Sequence, residues 1–202
     1  GRGARPGGGA GLAGDVVECG VWRGGSSLFA ARTLVRLGDE SRTIWLYDTF
    51  EGMSEPTERD VSAGGDRIAD RWSSLREDRD DPVLCYADLP DVRATMARSG
   101  YPAERIRYVQ GKVEDTLPAQ APESIALLRL DTDWYESTRH ELEQLYPRLA
   151  AGGVLILDDY GAWQGARDAV DEYFAGHPAP PLLQRIDETG RIAVKPVSSA
   201  TS

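Results

Sequence analysis

Short apolar runs alternate along the chain with longer segments in which apolar residues recur every three to four positions. The short runs are typical of buried β-strands, and the longer segments are typical of amphipathic helices. Strands that alternate with helices predict a mostly parallel sheet covered by helices on both faces. The predicted strands span 15–19, 43–47, 106–110, 125–130 and 154–157, and the predicted helices span 26–37, 90–99, 136–149 and 166–175.

Two further apolar segments follow the last predicted helix. They span 182–186 and 192–195 and flank a turn that contains Gly190. A reversal of this kind predicts an antiparallel pair, which would close a seven-stranded sheet with an antiparallel C-terminal strand. The charged stretch 49–81 is weakly periodic and reads as a long insertion after the second strand, with a short helix at 67–75. Loops of this length usually carry function or are disordered.

Composition narrows the class of protein. A chain of 202 residues suits one domain, and we place it at 15–197, after a flexible glycine-rich leader at 1–14 and before a tail at 198–202. The net charge of −10 argues against nucleic acid or an anionic membrane as partner, because both require clustered cations. No apolar stretch has the length of a membrane helix. Cys19 and Cys85 have no metal-binding spacing, which fits a reducing cytoplasm.

Acidic residues follow two of the predicted strands directly. Asp131 comes after the strand at 125–130, and Asp158 and Asp159 come after the strand at 154–157. The carboxyl ends of parallel strands form the ligand-binding edge of an α/β sheet. Three carboxylates converging there would repel one another unless a cation neutralised them. Oxygen ligands favour a hard ion, which leaves Mg²⁺ or Ca²⁺ as candidates and Mn²⁺ as a further alternative.

The first predicted strand ends in a glycine-rich turn. Glu18 precedes Gly20, Gly24 and Gly25, and we expect Ser26 or Ser27 to cap the following helix. Such turns also occur for packing alone, so this signal is weak by itself.

The glycine turn is compatible with a bound nucleotide-like cofactor, and Asp48, at the end of the second strand, strengthens that interpretation because a carboxylate there can bind ribose hydroxyls. Glu18 would repel a pyrophosphate, which favours a cationic or zwitterionic ligand such as S-adenosylmethionine.

Four motifs in order resemble the macrocin O-methyltransferase family, and the resemblance covers about 16–194. The motifs are Glu18-Cys19-Gly20-Val21-Trp22-Arg23-Gly24-Gly25-Ser26-Ser27, Tyr47-Asp48-Thr49-Phe50-Glu51-Gly52-Met53, Leu130-Asp131-Thr132-Asp133-Trp134-Tyr135-Glu136-Ser137-Thr138 and Asp158-Asp159-Tyr160. The resemblance implies a Rossmann-like class I methyltransferase fold, S-adenosylmethionine and Mg²⁺ as cofactors, and methylation of a sugar hydroxyl on a glycosylated natural product of the antibiotic type.

The resemblance also implies roles for individual residues. Asp131, Asp158 and Asp159 correspond to the metal ligands, and Asp131 is in addition the proposed general base. The cofactor-binding positions, from the amino-acid end through the ribose to the adenine side, are Glu18, Gly20, Gly24, Ser26, Asp48, Gly111, Glu114 and Asp115. Family members carry helices before the first motif that form a lid and a dimer contact. We therefore expect a homodimer, with an altered or missing lid where the leader stands.

Some roles stay open at this stage. Asp133 faces the same site as Asp131 or caps the helix that follows, and cap preferences favour the second role. Trp134, Tyr135 and Trp163 either line the acceptor pocket or serve packing. The acceptor is alternatively a catechol-like or other vicinal diol. Two further readings are a nicotinamide-dependent oxidoreductase, disfavoured by Glu18, and a non-catalytic cofactor-binding protein.

Overall fold

The computed structural model describes residues 11–77 and 81–197. Most of the predicted leader and the whole predicted tail lie outside the described residues, as does 78–80 of the charged insertion. The strands are β1 Asp15–Cys19, β2 Ile44–Asp48, β3 Ile106–Gln110, β4 Ile125–Leu130, β5 Leu149–Leu157, β6 Gln184–Arg185 and β7 Arg191–Val194. The α-helices are α1 Gly25–Leu37, α2 Trp72–Leu75, α3 Leu89–Ala97, α4 Val113–Thr116, α5 Tyr135–Leu145 and α6 Gln164–Ala175.

Within the described residues the strands form one seven-stranded sheet in the order β3-β2-β1-β4-β5-β7-β6. Neighbouring strands from β3 to β5 pair in parallel, whereas β7 is antiparallel to both β5 and β6. The prediction of a mostly parallel sheet with an antiparallel C-terminal strand is confirmed. The chain reverses strand order between β1 and β4, which places a ligand crevice at the carboxyl ends of these two strands.

Alternate residues of the strands face two separate cores. Val17 and Leu128 belong to the core that packs against α5 and α6, where Leu142 and Val170 are buried. Val16 lies on the opposite face, in the core closed by α1 and α3. Because side chains alternate along a strand, Glu18 and Arg129 share the face of Val16. Charged side chains therefore enter the sheet on the α1 side.

The insertion after β2 folds over the carboxyl edge of the sheet and has a small core of its own. Ile68, Trp72, Leu75 and Leu84 are buried there together with Trp134, which precedes α5. A short 3-10 helix, Ile68–Arg71, leads into α2, so the helix predicted at 67–75 is present in two pieces. This insertion forms one wall of the functional cavity.

The largest difference from the predicted elements is the boundary between α5 and β5. The helix predicted at 136–149 ends at Leu145, a 3-10 turn follows at Tyr146–Arg148, and β5 begins at Leu149. Pro147 cannot donate the backbone hydrogen bond that would continue the helix. Leu149 then pairs with Ile125 of β4, so β5 begins before Gly152 and Gly153, although glycines disfavour a strand.

Candidate active site

A cavity of about 500 Å³ opens at the carboxyl ends of β1, β2 and β4. The sequence-predicted site residues in its lining are Gly20, Ser26, Asp48, Gly111, Glu114, Asp131, Asp158 and Asp159. Glu18, Gly24 and Asp115 are not among the lining residues. Glu18 is buried, Gly24 faces Val92 and Thr95 of α3, and Asp115 is exposed on α4.

The glycine turn after β1 brings the backbone of that strand against β4. Gly20 has a φ of 78°, and a Cβ atom at this position would lie 1.8 Å from the carbonyl oxygen of Asp131. Only glycine permits this close approach. The helix α1 begins at Gly25 with Gly24 as its N-cap, so the prediction that Ser26 or Ser27 caps the helix is wrong.

Ser27 instead has its hydroxyl directed back at the end of β1. It donates a hydrogen bond to Oε2 of Glu18. Burial raises the pKa of Glu18, while the neighbouring Arg129 guanidinium acts in the opposite direction. Glu18 therefore supports the glycine turn through Ser27 from a buried position and does not line the cavity.

Asp48 ties the turn after β2 to the glycine turn. Its Oδ2 accepts the backbone N–H groups of Val21 and Trp22 at 2.7 and 3.1 Å, and its Oδ1 accepts the N–H of Phe50 at 2.7 Å. The carboxylate also lines the cavity. Its role toward a ribose stays a prediction, and the structure adds an architectural role that its position in the sequence did not reveal.

The residues predicted on the adenine side lie in and just before the short helix α4: Gly111 precedes the helix, and Glu114 and Asp115 lie within it. Gly111 has a φ of 133° and donates its N–H to the carbonyl oxygen of Asp48 at 3.0 Å. Glu114 lines the cavity together with Lys112, a residue that the sequence did not single out. Asp115 is exposed like Glu114 but does not line the cavity.

Asp131, Asp158 and Asp159 form an acidic trio at the ends of β4 and β5. One oxygen from each carboxyl group lies within 4.8 Å of the others, which fits a single hard cation with oxygen ligands. Partial burial, followed by the charge of Asp159, raises the pKa of Asp131 to about 9. Partial burial and the charge of Asp133 raise the pKa of Asp159 well above its usual value. Both shifts arise because burial and the negative charge of neighbouring carboxylates disfavour the ionised form.

Arg129 is the site residue that sequence reasoning missed. Its guanidinium donates hydrogen bonds at 2.6–2.7 Å to Asp131 and Asp158 of the trio, and to Glu18. The side chain is only 19% exposed. A sequence signal existed, because Arg129 is the charged position inside an otherwise apolar strand, and a buried charge requires partners.

Asp133 belongs to the site and does not cap α5, so the preferred reading of this residue is wrong. Its backbone has a φ of 65°, its N–H donates to Oδ2 of Asp159 at 3.1 Å, and its Oδ1 accepts the indole N–H of Trp163 at 2.5 Å. The N–H of Tyr135 at the start of α5 is instead accepted by Asp60 at 2.8 Å, from the insertion. Partial burial, with the charge of Asp131, raises the pKa of Asp133 to about 7.

The three aromatic residues near the site serve packing and support. Trp134 is buried in the core of the insertion, and its ring meets the Trp163 ring edge-on at 5.1 Å. Tyr135 lies under the Arg59 guanidinium and donates its hydroxyl hydrogen to Glu172. None of the three is part of the lining of the main cavity. The packing alternative is therefore the one the structure favours.

Comparisons with known proteins point to the same family as the sequence motifs. The family model described as "Macrocin-O-methyltransferase (TylF)" matches residues 9–194. A tetracenomycin-type rhamnosyl 4'-O-methyltransferase from Streptomyces olivaceus is 41% identical over 181 residues, which are 89% of this chain and 65% of the relative. Demethyldecarbamoylnovobiocin O-methyltransferase from Streptomyces niveus is 38% identical over 178 residues, 88% of this chain and 64% of the relative.

A solved structure matches the fold over nearly the same span. The O-methyltransferase NovP superposes with a TM-score of 0.79 at 32% identity, over 94% of this chain and 74% of that one. The aligned part of this chain spans just under two thirds of the length of each of the two curated Streptomyces relatives. Among the described residues, no helix combines the length and apolar character needed to cross a membrane.

Proposed function

The chain belongs to the macrocin-O-methyltransferase family and has a class I methyltransferase fold, and we propose that it methylates a sugar hydroxyl of a glycosylated natural product. The observation that carries the proposal is one cavity in which a glycine turn meets an acidic trio. The names of the relatives describe O-methylation of a rhamnosyl tetracenomycin and of a novobiocin precursor. A glycoside of an antibiotic-type metabolite is therefore the acceptor class we propose.

The cofactor of this proposal is S-adenosylmethionine, which supplies a methyl group already activated on its sulfonium. Gly20 and Ser26 line the cavity at the end of β1, where they suit the amino-acid end of the ligand. Asp48 suits the ribose, and Gly111 and Glu114 suit the adenine side. This ligand has no phosphate, and the buried Glu18 behind the turn is compatible with it.

The metal of this proposal is Mg²⁺, held by Asp131, Asp158 and Asp159. The donor set fits, since it consists of carboxylate oxygens that converge within 4.8 Å. Bound there, the ion would lower the pKa of an acceptor hydroxyl. Asp133 holds Asp159 in place through its backbone N–H, and Trp163 in turn fixes the Asp133 side chain. The ligand set is thus oriented by groups behind it.

Asp131 is the group that we propose as general base. It lies at the end of β4 inside the cavity, where its carboxylate can meet an acceptor hydroxyl. Its backbone carbonyl oxygen packs directly against Gly20, so the base lies next to the cofactor turn. Proton transfer from the acceptor hydroxyl to Asp131 would accompany methyl transfer.

Two experiments test the proposal. Calorimetric titration with S-adenosylmethionine and S-adenosylhomocysteine, with and without Mg²⁺, tests the cofactor cavity. Incubation with methyl rhamnosides, aromatic glycosides and catechols, followed by mass spectrometry, tests the acceptor. Methylation of the catechols alone would replace the sugar with a vicinal diol, and cofactor binding without any methylated product would favour a non-catalytic protein.

Asp131→Asn tests the base. We expect turnover to fall by about 10²–10⁴-fold while S-adenosylhomocysteine still binds, since the amide cannot accept the proton. Asp70→Asn, an exposed aspartate on the insertion, is the matched control. Full turnover in Asp131→Asn would rule Asp131 out as the base. A homodimer and a cytoplasmic location remain parts of the proposal, to be tested by light scattering and by fractionation.

A further inference from the structure

Arg129 connects three strands at the floor of the cavity. It pairs in register with Glu18 of β1 and with Ile156 of β5, so Glu18, Asp131 and Asp158 all project on its own face of the sheet. Its Nη1 donates to Glu18 Oε1 at 2.7 Å and to Asp131 Oδ2 at 2.6 Å, while Nη2 donates to Asp158 Oδ1 at 2.7 Å. One guanidinium therefore serves three carboxylates.

These contacts use one of the two carboxylate oxygens of each member of the trio, and the other oxygen takes no part in them. The guanidinium engages Oδ2 of Asp131 and Oδ1 of Asp158, and the Asp133 N–H engages Oδ2 of Asp159. Carboxylates brought this close require a counter-charge, and a planar fork with several donors can supply it to more than one partner. Arg129 supplies this counter-charge with a side chain that is only 19% exposed.

We propose that Arg129 is the resident counter-cation of the acidic trio and competes with the divalent metal for Asp131 and Asp158. This inference rests on the proposed function, which places the metal on the trio. The guanidinium keeps the ligands assembled before metal arrives and weakens metal binding by the charge it already contributes. Arg129 is thus a positioning residue that sets the metal affinity of the site.

Arg129→Met tests the competition directly. Mn²⁺ binding to the full chain, followed by electron paramagnetic resonance without cofactor or acceptor, should become at least about tenfold tighter than in the parent, because the trio loses its internal cation. Arg129→Lys keeps the charge and should stay within about threefold of the parent. Arg139→Met removes a half-buried arginine that pairs with Glu143, away from the trio, and should leave Mn²⁺ binding unchanged.

Thermal unfolding gives a second readout. Adding Mn²⁺ should raise the melting temperature of Arg129→Met more than that of the parent, since only the variant lacks a counter-cation. If Arg129→Met folds only with Mn²⁺ present, that rescue supports the proposal. Failure to fold at any Mn²⁺ concentration, or an Mn²⁺ affinity equal to or weaker than that of the parent, overturns it.

The outcome for the metal site itself is separable. Mn²⁺ binding by the parent that is lost in Asp159→Asn but unchanged in Arg129→Met overturns only the role of Arg129. A parent that binds no Mn²⁺, next to an Arg129→Met variant that binds it, supports the competition. Absence of binding in both overturns this inference together with the metal part of the proposed function, while titration with S-adenosylhomocysteine reports separately on the cofactor cavity.

Discussion

Replacing Glu141 by Gln should stabilise the protein at alkaline pH. Glu141 lies on α5 with 0% exposure, directly behind the site. Its Oε1 accepts a hydrogen bond from the Thr132 hydroxyl at 3.0 Å, whereas its Oε2 has no hydrogen-bond partner among the described residues. Burial raises the pKa of Glu141 well above its usual value, with a further contribution from Glu114. The folded protein therefore holds the proton of this carboxyl more tightly than the unfolded chain does.

The sign of the pH dependence follows from that difference. A carboxyl whose pKa is raised by folding stabilises the folded state below the unfolded pKa, about 4.3, and this contribution is lost as pH rises toward the folded pKa. Gln is neutral at every pH, has nearly the same shape, and keeps an oxygen for Thr132. We expect Glu141→Gln and the parent to be similar near pH 4, with a gap that widens as pH rises.

The size of the gap follows from the burial. A buried polar group without a partner costs about 1–3 kcal/mol and a charged one costs more. The Gln amide nitrogen also lacks a partner at the position of Oε2, so the gain is the difference between the charged and the neutral group. We expect Glu141→Gln to gain about 1–3 kcal/mol at pH 8, and each kcal/mol corresponds to about 2–4 °C in melting temperature for a domain of this size.

Urea and thermal unfolding at a series of pH values measure the gap. Glu143→Gln on the exposed face of the same helix is the control, and it should lose only the small contribution of its pair with Arg139. A gap that does not change with pH, or a parent more stable than Glu141→Gln at pH 8, would refute the reasoning.

Two further substitutions test the architecture of the site. Gly20→Ala should abolish S-adenosylhomocysteine binding, because the new Cβ would collide with the carbonyl of Asp131, whereas Gly176→Ala has open space and should bind normally in the same titration. Asp60→Ala should lower the free energy of unfolding by about 1–3 kcal/mol in urea, because it leaves the N–H of Tyr135 at the start of α5 without its acceptor. Asp60→Asn can keep an oxygen toward the N–H of Tyr135 but loses the Oδ2 acceptor of the Thr57 N–H, so it should recover only part of the loss. Equal losses in both variants would contradict the role of Asp60 at the start of α5.

The alternation of apolar runs was enough to predict the sheet and its helices. Three strands, β1, β3 and β4, have the predicted bounds, because a short, mainly apolar segment marks each of them in the sequence. The trio was also predictable, since acids that follow neighbouring parallel strands must meet at one edge. The helix that was expected to run through Pro147 was not predicted correctly, because pairing between β4 and β5 decides where that helix ends.

The sequence by itself determined the fold class, the glycine turn and the acids at the strand ends, because these depend on local pattern and on the direction of parallel strands. Only the tertiary structure decided which side chains share a face of the sheet. Strand register sets Arg129 against Glu18, and the insertion brings Asp60 to the start of α5. The tertiary structure also places Asp133 in contact with Asp159 and Trp163. These contacts join residues from about 26 to 111 positions apart, and no local pattern encodes which of many distant polar groups will meet.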